Sequence, residues 1–413
     1  MLNKTNIFLV SILPISVILG NFAINLNIIL IDILMLFLCF KDKNWRWLKN
    51  IYFKILITIY FYLVINSIFN YFIDKTYGLD GIFRSIGFIK FILLGFSLNI
   101  LIRNNKHLET IFISWLTIVV ITILDVFYEF YFGQNILGFQ SLDGTRIISF
   151  FYDENVVGGY LLVFSFASCT YFINKNYNNK KKLLLNILFF LIPLSILFTG
   201  ERSNFYKCIL LFSIILFMIN SNYLILSKKK ISLFLIFGIL ISVFVNQNLY
   251  IKQTEFFKRI LIVDNPQNFM DQFQNIQYFS HYDAAINIFY DYPINGVGNK
   301  NFRKKCLDEK YFKENLKFSV LRCSTHPHQI HFELLSEQGL IGYLLFFYFI
   351  IKFILNNLRT NYSTNNIYIY IINFYLIIFL IPLLPSGSLF SSFNGALFWI
   401  IFSLANFNNK KFK

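Results

Sequence analysis

Charge is what this chain has least of: Asp, Glu, Lys and Arg make up 14% of its 413 residues, against about 25% in a soluble domain. That scarcity excludes an ordinary water-soluble globule. Cysteine numbers only 5, which excludes a disulfide-dense scaffold. The sequence has no glycine-rich phosphate loop, no nucleophile elbow and no Cys/His set at transition-metal spacing. Nucleotide hydrolysis, serine-hydrolase chemistry and zinc-ribbon binding therefore have no motif to rest on. Nor is there a solenoid period, a collagen-like stretch or a heptad run.

What is abundant is apolar surface, 56% of residues, gathered in runs of ~17–25 residues that match a bilayer. The expected fold class is all-α: a polytopic integral membrane protein with about twelve transmembrane helices and one large extracytoplasmic loop. The spans are placed at 5–21, 23–40, 51–73, 84–102, 109–131, 155–173, 183–199, 203–220, 231–247, 338–357, 365–384 and 390–407. The first run, Ile7 to Leu19, lacks a small-residue cleavage site and a second span follows at once, so it counts as a span.

Net charge is +16. In a soluble protein that would suggest nucleic acid. Here the basic residues crowd the connections after even-numbered spans: Lys41, Lys43, Arg46 and Lys49; Arg103 and Lys106; Lys175 and Lys180 to Lys182; Lys228 to Lys230; Arg359. The tail adds Lys410, Lys411 and Lys413. This bias sets orientation, with both termini cytoplasmic. The chain then divides into 1–247, transmembrane helices 1–9; 248–337, a large periplasmic loop; and 338–413, helices 10–12 and a basic tail. The expected partners include the lipid bilayer and exclude nucleic acid.

The long segment holds eleven Lys and Arg against ten Asp and Glu, a mixed solvated surface. Ser280 to Tyr290 has a helical pattern with Ala284, Ile288 and Phe289 on one side. Tyr292-Pro-Ile-Asn-Gly-Val-Gly298 breaks it. Cys306 and Cys323 lie in this segment, whereas Cys39, Cys169 and Cys208 fall in apolar spans. In an oxidising compartment the first two can pair, stabilising by roughly 3 kcal/mol in the chain-entropy model.

Three of the five histidines, His326, His328 and His331, fall within six positions where this segment meets the tenth span. A metal reading would add Glu333, but the spacing matches no standard zinc signature and Pro327 forbids helix before it. The alternative is one histidine as general base with two as support. His281 reads either as a structural histidine or as a substrate contact. Arg202, at the outer end of two spans beside Glu201, reads as a phosphate or diphosphate clamp, or as an interfacial ion pair with Glu201. Arg146 offers a second clamp, or a loop-fixing salt bridge with Asp153 or Glu154. Asp125 and Glu129, one turn apart on the fifth span, suit acid–base work or simple hydration of the interface. Asp32 has no evident partner.

These stretches resemble the O-antigen ligase and polymerase superfamily of bacterial envelope glycan assembly, most strongly over about 120–345. The similarity rests on His328-Gln329, nine residues, Gly339, two residues and Gly342, with Gln329 where Asn is commoner. Asp153-Glu-Asn-Val-Val-Gly158, Thr199-Gly-Glu-Arg-Ser203 and Pro293-Ile-Asn-Gly-Val-Gly298 followed by Asn301-Phe-Arg303 resemble its other recurring stretches. The resemblance implies metal-independent glycosyl transfer with no cofactor. The implied donor is a polyprenyl-diphosphate-linked oligosaccharide, and the acceptor a glycolipid or glycan. His328 would be the catalytic base. Arg202 would hold the donor diphosphate, with Arg146, Glu201 and His326 as further substrate-binding residues. Whether His326 competes for the base role stays open here. So does ligase, with lipid A–core as acceptor, against polymerase, which joins repeat units. A transporter of the same lipid-linked glycan would need charge at mid-membrane depth.

One consequence is checkable in intact cells. Thiol reagents should leave Cys306 and Cys323 unmodified until a reductant is added; ready labelling without one would rule the pairing out.

Overall fold

Backbone amides and carbonyls find no water in hydrocarbon, so an apolar chain of this kind satisfies them inside helices. The computed structural model describes residues 2–102, 104–141, 146–152, 154–173, 179–218, 274, 276–361 and 367–407. Among the described residues every regular element is helical. In chain order the main helices are α1 (Leu2–Ser11), α2 (Leu13–Ile18), α3 (Asn21–Lys41), α4 (Ile51–Ile73), α5 (Asp80–Gly87), α6 (Ile89–Leu101) and α7 (Asn105–Phe132). There follow α8 (Val157–Ile173), α9 (Asn179–Phe198), α10 (Arg202–Met218), α11 (Gln277–Asp291), α12 (Ile330–Asn361), α13 (Ile367–Phe379) and α14 (Ser392–Phe407). Among the described residues, five helical stretches are long and apolar enough to cross a membrane: Asn21–Lys41, Ile51–Ile73, Asp80–Leu101, Asn105–Phe132 and Ile330–Thr360. Shorter apolar helices accompany them. The chain is thus an all-helical, polytopic membrane protein.

The expected spans and the helices differ at informative places. The first span is split at Ile12, just before Pro14 at the start of α2, since proline cannot continue a helical ladder. The fourth begins earlier, at Asp80, and divides at Phe88. The tenth begins at Ile330, so the end of the histidine stretch is its first turn. The ninth span, Lys228 to Lys230, Arg103, Asp153 and the tail lysines lie outside the described residues.

The bundle core is aromatic and aliphatic, centred on residues such as Trp115, Phe164, Phe349 and Trp399. Helix α6 packs along α14 and α3, and α8 lies against α7 and α9. Asp32 is buried within this bundle, where Ser97 Oγ donates to its Oδ1 at 3.2 Å. Segment 276–329 folds over one end of the bundle around a second small core of Tyr77, Ala284, Ala285, Ile288, Val297, Phe302, Cys306 and Tyr311. Cys306 and Cys323 are joined in a disulfide there, with Cα atoms 5.4 Å apart. Lys304 Nζ donates to the carbonyls of Thr76 and Tyr77, both at 2.7 Å, which ties this cap to the α4–α5 connection.

Helix α12 is broken at Gly339, whose φ of 61° lies in the left-handed region. The break frees backbone groups on both sides of it, and Pro293 to Gly298 supplies their partners. Val297 N and Gly298 N donate to the carbonyls of Ser336 and Glu337, at 3.0 and 2.8 Å. Leu340 N and Ile341 N donate to those of Pro293 and Ile294, at 2.8 and 3.2 Å. From α4, Asn66 Nδ2 donates to Asn295 O at 2.8 Å and Tyr62 OH to Gln338 O at 2.6 Å. The inserted turn segment is why the helix kinks here.

A Cβ at Gly339 would lie 2.4 Å from Ile294 O. Gly339→Ala combines that clash with positive φ, so the protein should lose about 1–3 kcal/mol. A lowered melting temperature in detergent would show it; an unchanged one would contradict the packing described.

Candidate functional site

The connection 380–391, between α13 and α14, contains two prolines, a glycine and several serines, so it cannot extend either helix. Its polar backbone instead collects the other loops at this end. Ser386 N donates to His328 O at 2.8 Å, and Ser203 Oγ, beside Arg202, donates to Pro385 O at 2.5 Å. Two hydrogen bonds on adjacent residues thus bring the histidine loop and the Arg202 turn together.

The histidines are unequally committed. His331 donates from Nε2 to Leu380 O at 2.8 Å and accepts from Tyr343 OH at Nδ1 at 3.0 Å. Its ring stacks on Phe347. His326 donates from Nε2 to Ser386 O at 3.3 Å and accepts from Thr325 Oγ1 at 3.0 Å. His281, buried on α11, donates from Nδ1 to Arg322 O at 3.0 Å. His328 makes no ring hydrogen bond among the described residues. It is half-buried, and its φ of 56° marks a strained backbone following Pro327. Its ring centroid lies 4.3 Å from that of His326, 5.2 Å from that of His281 and 5.5 Å from that of Tyr278. Burial pushes His328 down to about 4 and His326 to about 3, so both rings stay neutral across the ordinary pH range. Among the described residues no group of three or more His, Cys, Asp or Glu side chains is arranged to hold a metal ion.

Beneath the histidines lies a buried polar junction. Glu333, fully buried in the first turn of α12, accepts from Ser388 Oγ and, at 3.0 Å, from Leu389 N. Arg84 on α5 donates from Nη2 to the same Ser388 Oγ at 2.5 Å and from Nε to Phe390 O at 3.0 Å. Its Nη1 is buried and has no hydrogen-bond partner among the described residues. One turn further along α12, Glu337 accepts from Lys300 N at 2.9 Å and Phe302 N at 3.3 Å, fixing the cap. Arg303 Nη2 donates to Thr325 O at 3.2 Å, steadying the histidine loop.

Arg146 and Arg202 sit on loops that touch, because Ile147 N donates to Thr199 O at 3.3 Å. Both side chains are exposed. Glu201 between them is buried; it accepts from Gly158 N and Asn204 Nδ2, both at 2.5 Å. Burial pushes it up to about 7, opposed by those hydrogen bonds and by the Arg146 charge. Glu201 therefore holds the start of α8 as well as facing Arg146.

Asp125 and Glu129 do not hydrate the interface. Both are buried. Asp125 accepts from Ile136 N at 2.9 Å and Ser149 Oγ at 2.5 Å. Glu129 accepts from Ile148 N at 3.0 Å and Ser149 N at 2.6 Å. They anchor the loop that carries Arg146.

The structure thus brings together His326, His328, His281 and Arg84, with the Arg202 and Arg146 loops attached through 385–386 and 199. It gives both ring nitrogens of His331 and the carboxylate of Glu201 hydrogen bonds within the protein. Sequence reasoning missed Arg84, Ser386 and Ser388. The cost of an arginine inside an apolar span, the argument applied to Arg202, would have found Arg84 as well.

Comparison with known families adds one finding. Residues 187–347 match the family model described as O-Antigen ligase. The matched stretch includes Glu201, Arg202, His281, His326, His328 and His331, and leaves out Arg84 and Arg146. No curated protein matches the chain.

Glu129→Gln should destabilise by about 1–3 kcal/mol, because an amide cannot accept both Ile148 N and Ser149 N and its NH₂ meets one of them donor to donor. Thermal unfolding in detergent measures this. A loss of turnover at unchanged stability would instead mark Glu129 as an acid–base group.

Proposed function

The chain carries a domain of the O-antigen ligase superfamily, and on that premise we propose that it is a glycosyltransferase of the bacterial inner membrane. It transfers a glycan from a polyprenyl-diphosphate-linked donor to an acceptor hydroxyl at the periplasmic face, with both termini cytoplasmic. The type is the ligase, with lipid A–core as acceptor. The observation that carries this reading is the unequal commitment of the histidines. A general base needs a ring nitrogen bearing neither a proton nor a partner. His326 and His331 use both nitrogens on the protein, whereas His328 uses neither among the described residues.

His328 takes the proton of the acceptor hydroxyl as its oxygen attacks the anomeric carbon. The bond from that carbon to the diphosphate oxygen breaks on the opposite face, and the anomeric centre inverts. The departing lipid diphosphate gains negative charge. Arg202 meets that charge, with Arg146 as a second guanidinium and the partnerless Nη1 of Arg84 as a donor beside the histidines. Fixed cations aimed at developing charge stabilise it without reorganising, so the proposed reaction proceeds without a metal. The candidate histidines and arginines gather at one end of the bundle, which favours this reading over a transporter of the same lipid-linked glycan.

The test uses a deletion strain complemented with His328→Ala or Arg202→Ala at matched membrane levels. Each should lower transfer roughly 100-fold or more; full activity from both would overturn the mechanism. The parent deletion separates the acceptors. Lipid-linked polymer accumulating beside bare core marks a ligase, and core capped with single repeats marks a polymerase.

A further inference from the structure

A histidine base in an enzyme is ordinarily oriented by a second group that accepts a hydrogen bond from its other nitrogen and stabilises the imidazolium. A carboxylate is the usual choice. Here the two carboxylates nearest in sequence are spent: Glu333 on Ser388 and Leu389 N, Glu337 on the amides of Lys300 and Phe302. No carboxylate bonds to His328 among the described residues.

His281 has the properties that position requires. It comes from a different part of the chain, the second turn of α11, yet its ring centroid is 5.2 Å from that of His328, with the planes tilted by 41°. Its Nδ1 faces the carbonyl of Arg322, which can only accept, so the proton is on Nδ1 and Nε2 carries a lone pair. That carbonyl is itself fixed, one residue before Cys323 of the disulfide. The tautomer of His281 is thereby set from behind, and its free nitrogen is left on a ring adjacent to the base. Its residue is buried, and burial disfavours its charged form, which keeps it an acceptor.

We propose that His281 is a positioning residue for His328: its Nε2 lone pair receives the hydrogen bond of the imidazolium that forms when His328 takes the acceptor proton. The proton taken from the acceptor stays on the His328 nitrogen that received it until product release, while the N–H on the other nitrogen is the one donated to His281. This rests on His328 being the base. The groups facing the pair are Tyr278 from α11, the Arg322 backbone, and His326 from the histidine loop, with the Arg84 guanidinium acting on His326 from α5.

The experiment compares His281→Gln with wild type and His328→Ala in membranes of the deletion strain, following transfer of that strain's own lipid-linked glycan from roughly pH 3 to 8. Glutamine keeps an N–H donor for Arg322 O and fills similar space, but it cannot present an imidazole lone pair of fixed tautomer. His281→Gln should fold to normal levels and lower kcat roughly tenfold or more with KM little changed. The acid limb of its pH profile should move to lower pH, because the imidazolium of His328 has lost its acceptor. His281→Asn, which also keeps a donor, should share the defect. If His328→Ala is inactive while His281→Gln has wild-type kcat and an unmoved acid limb, His281 is structural only and the inference fails. An acid limb displaced upward would also sink it, since that is the signature of simple like-charge repulsion. Full activity of His328→Ala would instead remove the underlying reading of the base.

Discussion

Everything at the active end depends on burying the Glu333 carboxylate at the top of α12. A carboxylate taken out of water is costly unless each oxygen is satisfied. Ser388 Oγ and Leu389 N satisfy them, and Arg84 joins through the same serine. The consequence is architectural. The 380–391 connection is fixed to α12 and α5 at once, so its carbonyls and amides can hold two further loops. Ser386 takes His328 and Pro385 takes the Arg202 turn. Removing that junction would unfix the arginine and the histidine from each other before it affected either alone.

A second constraint acts one turn lower. Helix α12 serves both as a membrane span and as the support for an extramembrane cap, and it does so by breaking at Gly339. The segment Pro293–Gly298 completes the broken ladder, and Glu337 anchors the next residues of the cap. Gly339 and the Pro-Ile-Asn-Gly-Val-Gly stretch are therefore two halves of one joint. The histidine loop enters the site from a rigid helix and a cross-linked cap, which suits chemistry that tolerates little misplacement.

How much of this was legible in the sequence follows from the range of the interactions involved. The spans, the basic connections and the histidine motif are local signals of hydropathy and spacing, and they were read directly. The pairing of Cys306 with Cys323 needed only composition and compartment. The contact of Arg84 with Ser388 was invisible because the two meet across 304 residues with no local pattern to announce it. His281 read equally well as core or as contact, since a histidine on an amphipathic helix shows no difference until its neighbours are known. Asp125 and Glu129 misled for a physical reason. A spacing of one turn shows that two carboxylates share a face, but not that a loop folds back to donate four hydrogen bonds to them.

The site then reads as a division of labour. Buried acids hold backbone, two histidines hold loops, and one histidine ring, that of His328, is left without a hydrogen bond among the described residues. The most direct measurement of this account is a cryo-EM map of the protein in lipid nanodiscs with a polyprenyl diphosphate bound. The account predicts diphosphate density held by the Arg202 side chain on the face shared with Arg84, with the His328 ring beside the sugar-bearing oxygen. Diphosphate bound at the opposite end of the bundle, or on this end but out of reach of His328, would contradict it.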